Sequence, residues 1–172
     1  MTLVTISIII AAVIFTVYNV ASLAAFNVPK SLSMTYYLWQ EAESKLKFAF
    51  PLMMYLVVAF MMPAWITLSE GSPFQFLAFT APAAILFVGT APAFMSSSLE
   101  NAVHQVSAYV AAALSLLWII LVTPYWWTIL LWLAVVALAS IMTSSYKTSH
   151  IYWLELVAFG ATFTSTIAHS LV

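Results

Sequence analysis

Six runs of about twenty apolar residues follow one another along the 172-residue chain, at roughly 2–25, 48–68, 74–95, 101–123, 126–144 and 151–171. Each has the length a helix needs to cross the ~30 Å hydrocarbon core of a bilayer. In hydrocarbon every backbone N–H and C=O has to be bonded within the protein, which restricts a spanning chain to helices or closed barrels. Barrel strands alternate polar and apolar residues over ~10 positions. These runs are continuous and rich in Ala, Leu and Ile, so helices are predicted. The fold class expected is all-α: an integral membrane bundle of six transmembrane helices, forming one domain over 1–172.

Composition narrows the function. Charged residues make up 5% of the chain and hydrophobic residues 65%, against about 25% charged in a soluble domain. That leaves no room for a soluble catalytic or nucleotide-binding domain. A net charge of −1 gives no basic footprint for nucleic acid. With no cysteine, disulfides and thiolate metal sites are excluded. Arginine and aspartate are absent too, so charge rests on four lysines and five glutamates. The first run carries no charge before Lys30, unlike the basic start of a cleavable signal peptide, and reads as a retained first span.

The lysines set an orientation. Lys30, Lys45 and Lys47 lie in the first connection and Lys147 in the fifth, which six crossings place on one side. The positive-inside rule makes that side cytoplasmic, with both termini opposite, in a multi-pass protein of the cell inner membrane. The aromatic clusters Tyr125–Trp127 and Tyr152–Trp153 suit the two interfacial belts.

The first connection is the most soluble-looking segment. Val28-Pro29 ends the first helix, because the residue before proline is pushed out of the helical region. Ser31 or Ser33 can cap a new helix. Glu41–Lys45 and Glu43–Lys47 are i,i+4 pairs in the favourable order, and Tyr36, Tyr37 and Trp39 suit the headgroup level. A short interfacial helix over 33–47 is predicted, in an otherwise solvated connector. Pro51 and Pro63 are expected to bracket the second run. In the third, Pro82 should kink the helix and Pro92 end it, with Gly89 allowing close packing.

Polar residues fall into stripes. Glu100, His104, Ser107, Ala111 and Ser115 recur every three or four positions on the fourth run, closed by Trp118. Glu155, Thr162, Thr166 and His169 do the same on the sixth, flanked by Ser165, and the first run has a weaker version in Thr5, Ala12, Thr16 and Asn19. Such stripes face other helices or water rather than lipid. They put the first, fourth and sixth runs at the inside of the bundle. Hydroxyls alone serve as helix–helix glue at about 0.6 kcal/mol each. A carboxylate inside a span costs a few kcal/mol unless paired, protonated or wetted, which makes Glu155 a functional-site candidate.

Three chemistries fit Glu100, His104, His150 and Glu155, all expected in the cytoplasmic third. They can relay protons, since histidine titrates near neutral pH. Two histidines with one or two glutamates are a legitimate zinc or iron ligand set. Glu100 and His104 can simply bond each other and cap helix ends, with Glu100 suited to the positive end of its helix dipole. His169 belongs to the opposite face.

The segments VPKSLSMTYYL (28–38), QFLAFTAPAAILFVGTAPAF (75–94) and ENAVHQVSA (100–108) resemble a family of small multi-span membrane proteins of Bacteroides-type bacteria, over roughly the first two-thirds of the chain. The resemblance implies that Pro29, Ser31, Ser33, Tyr36, Tyr37, Glu100 and His104 belong to the family pattern. It implies no activity, and Met34 departs from the pattern where an acidic residue is expected.

Three functions follow in order. The first is a small transporter or channel with a polar, proton-titrating path along the first, fourth and sixth runs, using Glu100, His104, Glu155, Thr162, Thr166, Ser107 and Asn19. The second is a membrane enzyme with a metal held by Glu100, His104, His150 and Glu155, acting on a lipid or quinone. The third is a non-catalytic accessory or assembly subunit. The expected partners are the lipid bilayer and a second copy of the chain or another membrane protein.

Overall fold

A computed structural model of the chain describes residues 2–172. Among the described residues the regular structure is helical throughout. Its elements are α1 (Leu3–Phe26), α2 (Thr35–Glu41), a 3₁₀ turn (Lys45–Phe48), α3 (Ala49–Leu68), α4 (Leu77–Thr90), α5 (Ser98–Val122), α6 (Trp127–Met142) and α7 (His150–Ser170). Four stretches are long and apolar enough to cross a membrane: α1, α3 with its preceding turn, α5 and α7. The predicted third and fifth spans are shorter here, as α4 with 14 residues and α6 with 16. At 1.5 Å per residue they rise about 21 and 24 Å.

The helices run antiparallel in sequence order. At one end the connector after α1, the loop before α5 and the loop before α7 meet. There the Tyr37 hydroxyl accepts from the Met95 N–H at 2.6 Å and the Ser149 hydroxyl donates to the Val28 carbonyl at 3.3 Å. At the other end the Thr5 hydroxyl donates to the Ser170 carbonyl at 3.4 Å, and Tyr125 packs on His169. All four lysines belong to the first end, as their spacing predicts.

Local chemistry explains the boundaries. Asn27 adopts φ 59° and its N–H returns to the Leu23 carbonyl, so α1 stops before Val28-Pro29. Ser97 caps α5 by accepting from the Glu100 N–H at 3.1 Å. α4 ends at Thr90, two residues before Pro92, and continues through Pro82. Pro63, in contrast, does not bound its helix: α3 runs through it to Leu68. Proline removes one i→i−4 bond and crowds the carbonyls behind it, and in a membrane a neighbouring hydroxyl can take up the freed groups. The Ser7 hydroxyl of α1 donates to the Phe60 carbonyl at 2.6 Å, in the turn before Pro63, while the carbonyl that loses its helical donor is that of Ala59.

The connector departs furthest from expectation. The helix predicted over 33–47 is only seven residues long, because Glu43 sits at φ 51° and breaks it. Glu41–Lys45 and Glu43–Lys47 therefore do not share one helix. The connector is solvated only in its second half, where residues 40–43 and Lys45 are exposed; in its first half Leu32, Ser33, Thr35 and Tyr36 are buried. Ser31 accepts from the Met34 N–H at 3.2 Å, turning the chain inward instead of capping a surface helix. Residues 28–37 fold back over the end of the bundle.

The polar stripes do face inward. On α5, His104, Ala111, Ser115 and Trp118 are buried while Val106, Tyr109, Leu117 and Ile120 are exposed. On α7, Thr162, Ser165 and Thr166 are buried. The α1 stripe is only half inward, with Thr5 and Asn19 buried but Thr16 exposed.

Candidate functional site

α5 packs between α4 and α7, and α4 lies against α3. Where these four helices meet they leave a cavity of about 70 Å³. α3 contributes Met54, Met61 and Trp65, α4 contributes Pro82 and Ile85, α5 contributes Ala111 and Ser115, and α7 contributes Glu155, Phe159 and Thr162. Small residues on α5 and α7, Ala108, Ala111, Ala112 and Ala158, keep the walls apart from filling the space. A space of this size has room for a few waters or one small solute.

The walls are apolar, so the polar atoms among them stand out. Glu155 projects from the second turn of α7, and one of its oxygens accepts the Leu32 N–H at 2.7 Å. Among the described residues that is its hydrogen bond, and no second donor reaches the other oxygen. Two turns further along the same face, the Thr162 hydroxyl is buried with no hydrogen-bond partner. Seven residues of helix separate the two by about 10 Å. Buried polar groups in a folded protein are nearly always bonded, so an orphan calls for an account. Both oxygens belong to side chains that line the cavity.

The Glu155 end of the cavity is also where the connector docks. Leu32 reaches Glu155, the Tyr152 N–H donates to the Lys30 carbonyl at 3.1 Å, and Tyr18 bonds Thr35. Tyr37 joins the connector to the loop before α5. Burial pushes the Tyr37 hydroxyl above its ordinary value, so it stays a neutral phenol at physiological pH.

The other predicted site residues are placed elsewhere. Glu100 turns to the Ser96 hydroxyl and does not bond His104. His104 is buried, stacks on Phe94 at 4.6 Å, and puts Nδ1 3.0 Å from the Ala91 carbonyl, which requires the proton on Nδ1. It ties the end of α4 to α5. His150 is exposed at the start of α7. Asn19 donates to the Phe15 carbonyl at 2.8 Å and accepts from the Tyr152 hydroxyl at 3.3 Å. Thr166 accepts from the Trp65 indole at 3.1 Å, and Ser107 is half-buried outside the cavity. Glu100, His104, His150 and Glu155 thus have separate surroundings, and among the described residues no three such side chains gather as a metal-ligand set. α1, expected on the polar path, does not line the cavity; α3 and α4 do. Sequence reasoning missed Trp65 and the methionines of α3, whose helix is apolar all round and carries no polar stripe to mark its inner face.

No family model, curated protein or solved structure matches this chain.

Proposed function

We propose that the chain is a small transporter of the inner membrane, crossing it six times, and that the cavity among α3, α4, α5 and α7 is its solute site. One observation carries the reading: the Glu155 carboxylate, held through the Leu32 N–H, and the Thr162 hydroxyl, buried without a partner, both line an otherwise apolar cavity inside the bundle. An ionisable group at membrane depth is expensive, and such groups mark substrate or proton pathways. Ligand sites are concave, mostly apolar and furnished with a few convergent polar groups. The path runs along α5 and α7, with α3 and α4 in place of α1. The connector, bonded to Glu155 through Leu32, is the element that opens and closes one end.

Six crossings place the four lysines together, which supports a cytoplasmic connector and both termini on the far side. The exposed apolar faces of α5 and α6 suit lipid and a second copy of the chain as partners.

Glu155→Gln keeps the size of the side chain and an acceptor for Leu32 while removing the charge. Proteoliposomes challenged with a panel of small solutes, read for charge or pH-coupled movement, should give a solute-dependent signal that falls at least tenfold in this variant. Equal signals would remove Glu155 from the path, and silence with every solute would overturn transport.

A further inference from the structure

We infer that the cavity takes a small alkyl-substituted ammonium ion; this rests on the cavity being the solute site. The inference starts from the absence of a cation inside the protein. The described partner of Glu155 is a backbone N–H, which bonds one oxygen and neutralises nothing. Lys30, Lys45 and Lys147 are exposed, and Lys47 and Lys147 lie over the Phe48 and Tyr146 rings. The residues that face Glu155 across the cavity from α3, α4 and α5 are uncharged. A carboxylate at this depth is paired, protonated or wetted, and where it is paired the positive partner has to come from outside the protein.

The walls say what kind of cation that is. A bare metal ion needs several oxygen or nitrogen ligands, and among the described residues no such group gathers. The cavity walls carry Met54, Met61, Trp65, Phe159 and Phe163, with Phe159 one helical turn from Glu155 and Trp65 at the far end, where it bonds Thr166. Aromatic faces and thioethers attract a weakly hydrated organic cation and bury its alkyl groups. Phe159 is itself held by stacking on Phe15 at 4.5 Å, so the aromatic wall is preformed. The volume of about 70 Å³ limits the ligand to a few heavy atoms. A small ammonium ion with one or two short alkyl groups meets each demand.

The test uses the full chain in mild detergent, with radiolabelled isopropylamine as probe and isopropanol as its neutral counterpart of the same shape, both by equilibrium dialysis. The expected result is that the amine, protonated at neutral pH, binds at least tenfold more tightly than the alcohol. That preference should vanish in Glu155→Gln. Ala111→Leu, which fills the cavity and leaves Glu155 in place, should weaken both. Size-exclusion profiles matching the native chain show that each variant is folded. Equal binding of amine and alcohol, both weakened by Ala111→Leu, would overturn the ammonium inference and leave the solute site standing. Binding of neither, or binding indifferent to Ala111→Leu, would overturn both.

Discussion

Trp118→Ala is expected to lower unfolding free energy by about 3–5 kcal/mol, the range for truncating a buried large aromatic. Trp118 is fully buried on α5 and stacks on Trp65 of α3 with ring centroids 4.4 Å apart and planes within 5°. Its indole N–H donates to the Ser69 hydroxyl at 2.8 Å, at the end of α3. Lipid tails are as apolar as the ring, so the stability at stake is packing rather than escape from water. Removing the ring leaves a void beside Trp65 and a buried hydroxyl without its donor. Trp118→Phe keeps most of the packing and loses the hydrogen bond, at about 1 kcal/mol. Unfolding by SDS in mixed micelles measures both. A loss under 1 kcal/mol for Trp118→Ala would mean that α5 is not anchored there. The consequence reaches the site, because Trp65 lines the cavity and bonds Thr166.

Gly160→Val has the second large effect, on the seat of α6. That helix packs principally on α7. Trp132 lies flat over Gly160, so a Cβ added there would come within 2.4 Å of the fused part of the indole. The ring cannot swing aside without breaking its 2.9 Å bond to the Thr164 hydroxyl. Small residues let membrane helices approach this closely. Forcing larger ones into such a contact costs about 1–3 kcal/mol, and the upper end is expected here. Gly89→Ala is the control: its Cβ would come 3.0 Å from the exposed Tyr55 ring and 3.2 Å from Met54, and the expected loss is smaller. The same mixed-micelle unfolding ranks the two. Equal stability of Gly160→Val and the native chain would mean that α6 does not sit against α7 as described.

Both results depend on features that the sequence displays unevenly. Helix positions are legible because the bilayer imposes a length, and long apolar runs have few other solutions. The inward faces of α5 and α7 are legible for the same reason. Polar groups at three- and four-residue spacing have to avoid lipid, and His104, Ser115, Thr162 and Thr166 do. Glu155 stood out on its cost alone. Less visible is whatever depends on contacts between distant segments. Leu32 and Tyr36 are isolated apolar residues in a polar stretch, too few to show a period, yet they carry the connector into the bundle. Glu100 and His104 have the right spacing to pair, but Glu100 bonds the Ser96 hydroxyl and His104 the Ala91 carbonyl. Pro63 reads as a helix end from local chemistry, yet α3 runs through it to Leu68, packed on α1. The orphaned Thr162 hydroxyl has no signature in sequence at all: its neighbours Ser165 and Thr166 are equally polar, and both find acceptors in the Thr162 carbonyl.

For the cavity to serve as a solute site, water and solute have to reach it from outside the bundle. The chain has no cysteine, so one introduced thiol reports alone. Ala158→Cys places it on the cavity wall and Leu138→Cys on the exposed outer face of α6. In sealed proteoliposomes, a small water-soluble methanethiosulfonate reagent should label the first and leave the second untouched, and Ala111→Leu should slow the labelling. An Ala158→Cys thiol as inert as the one on α6 would contradict the account: the cavity would then be dry, and Glu155 would serve only to hold the connector.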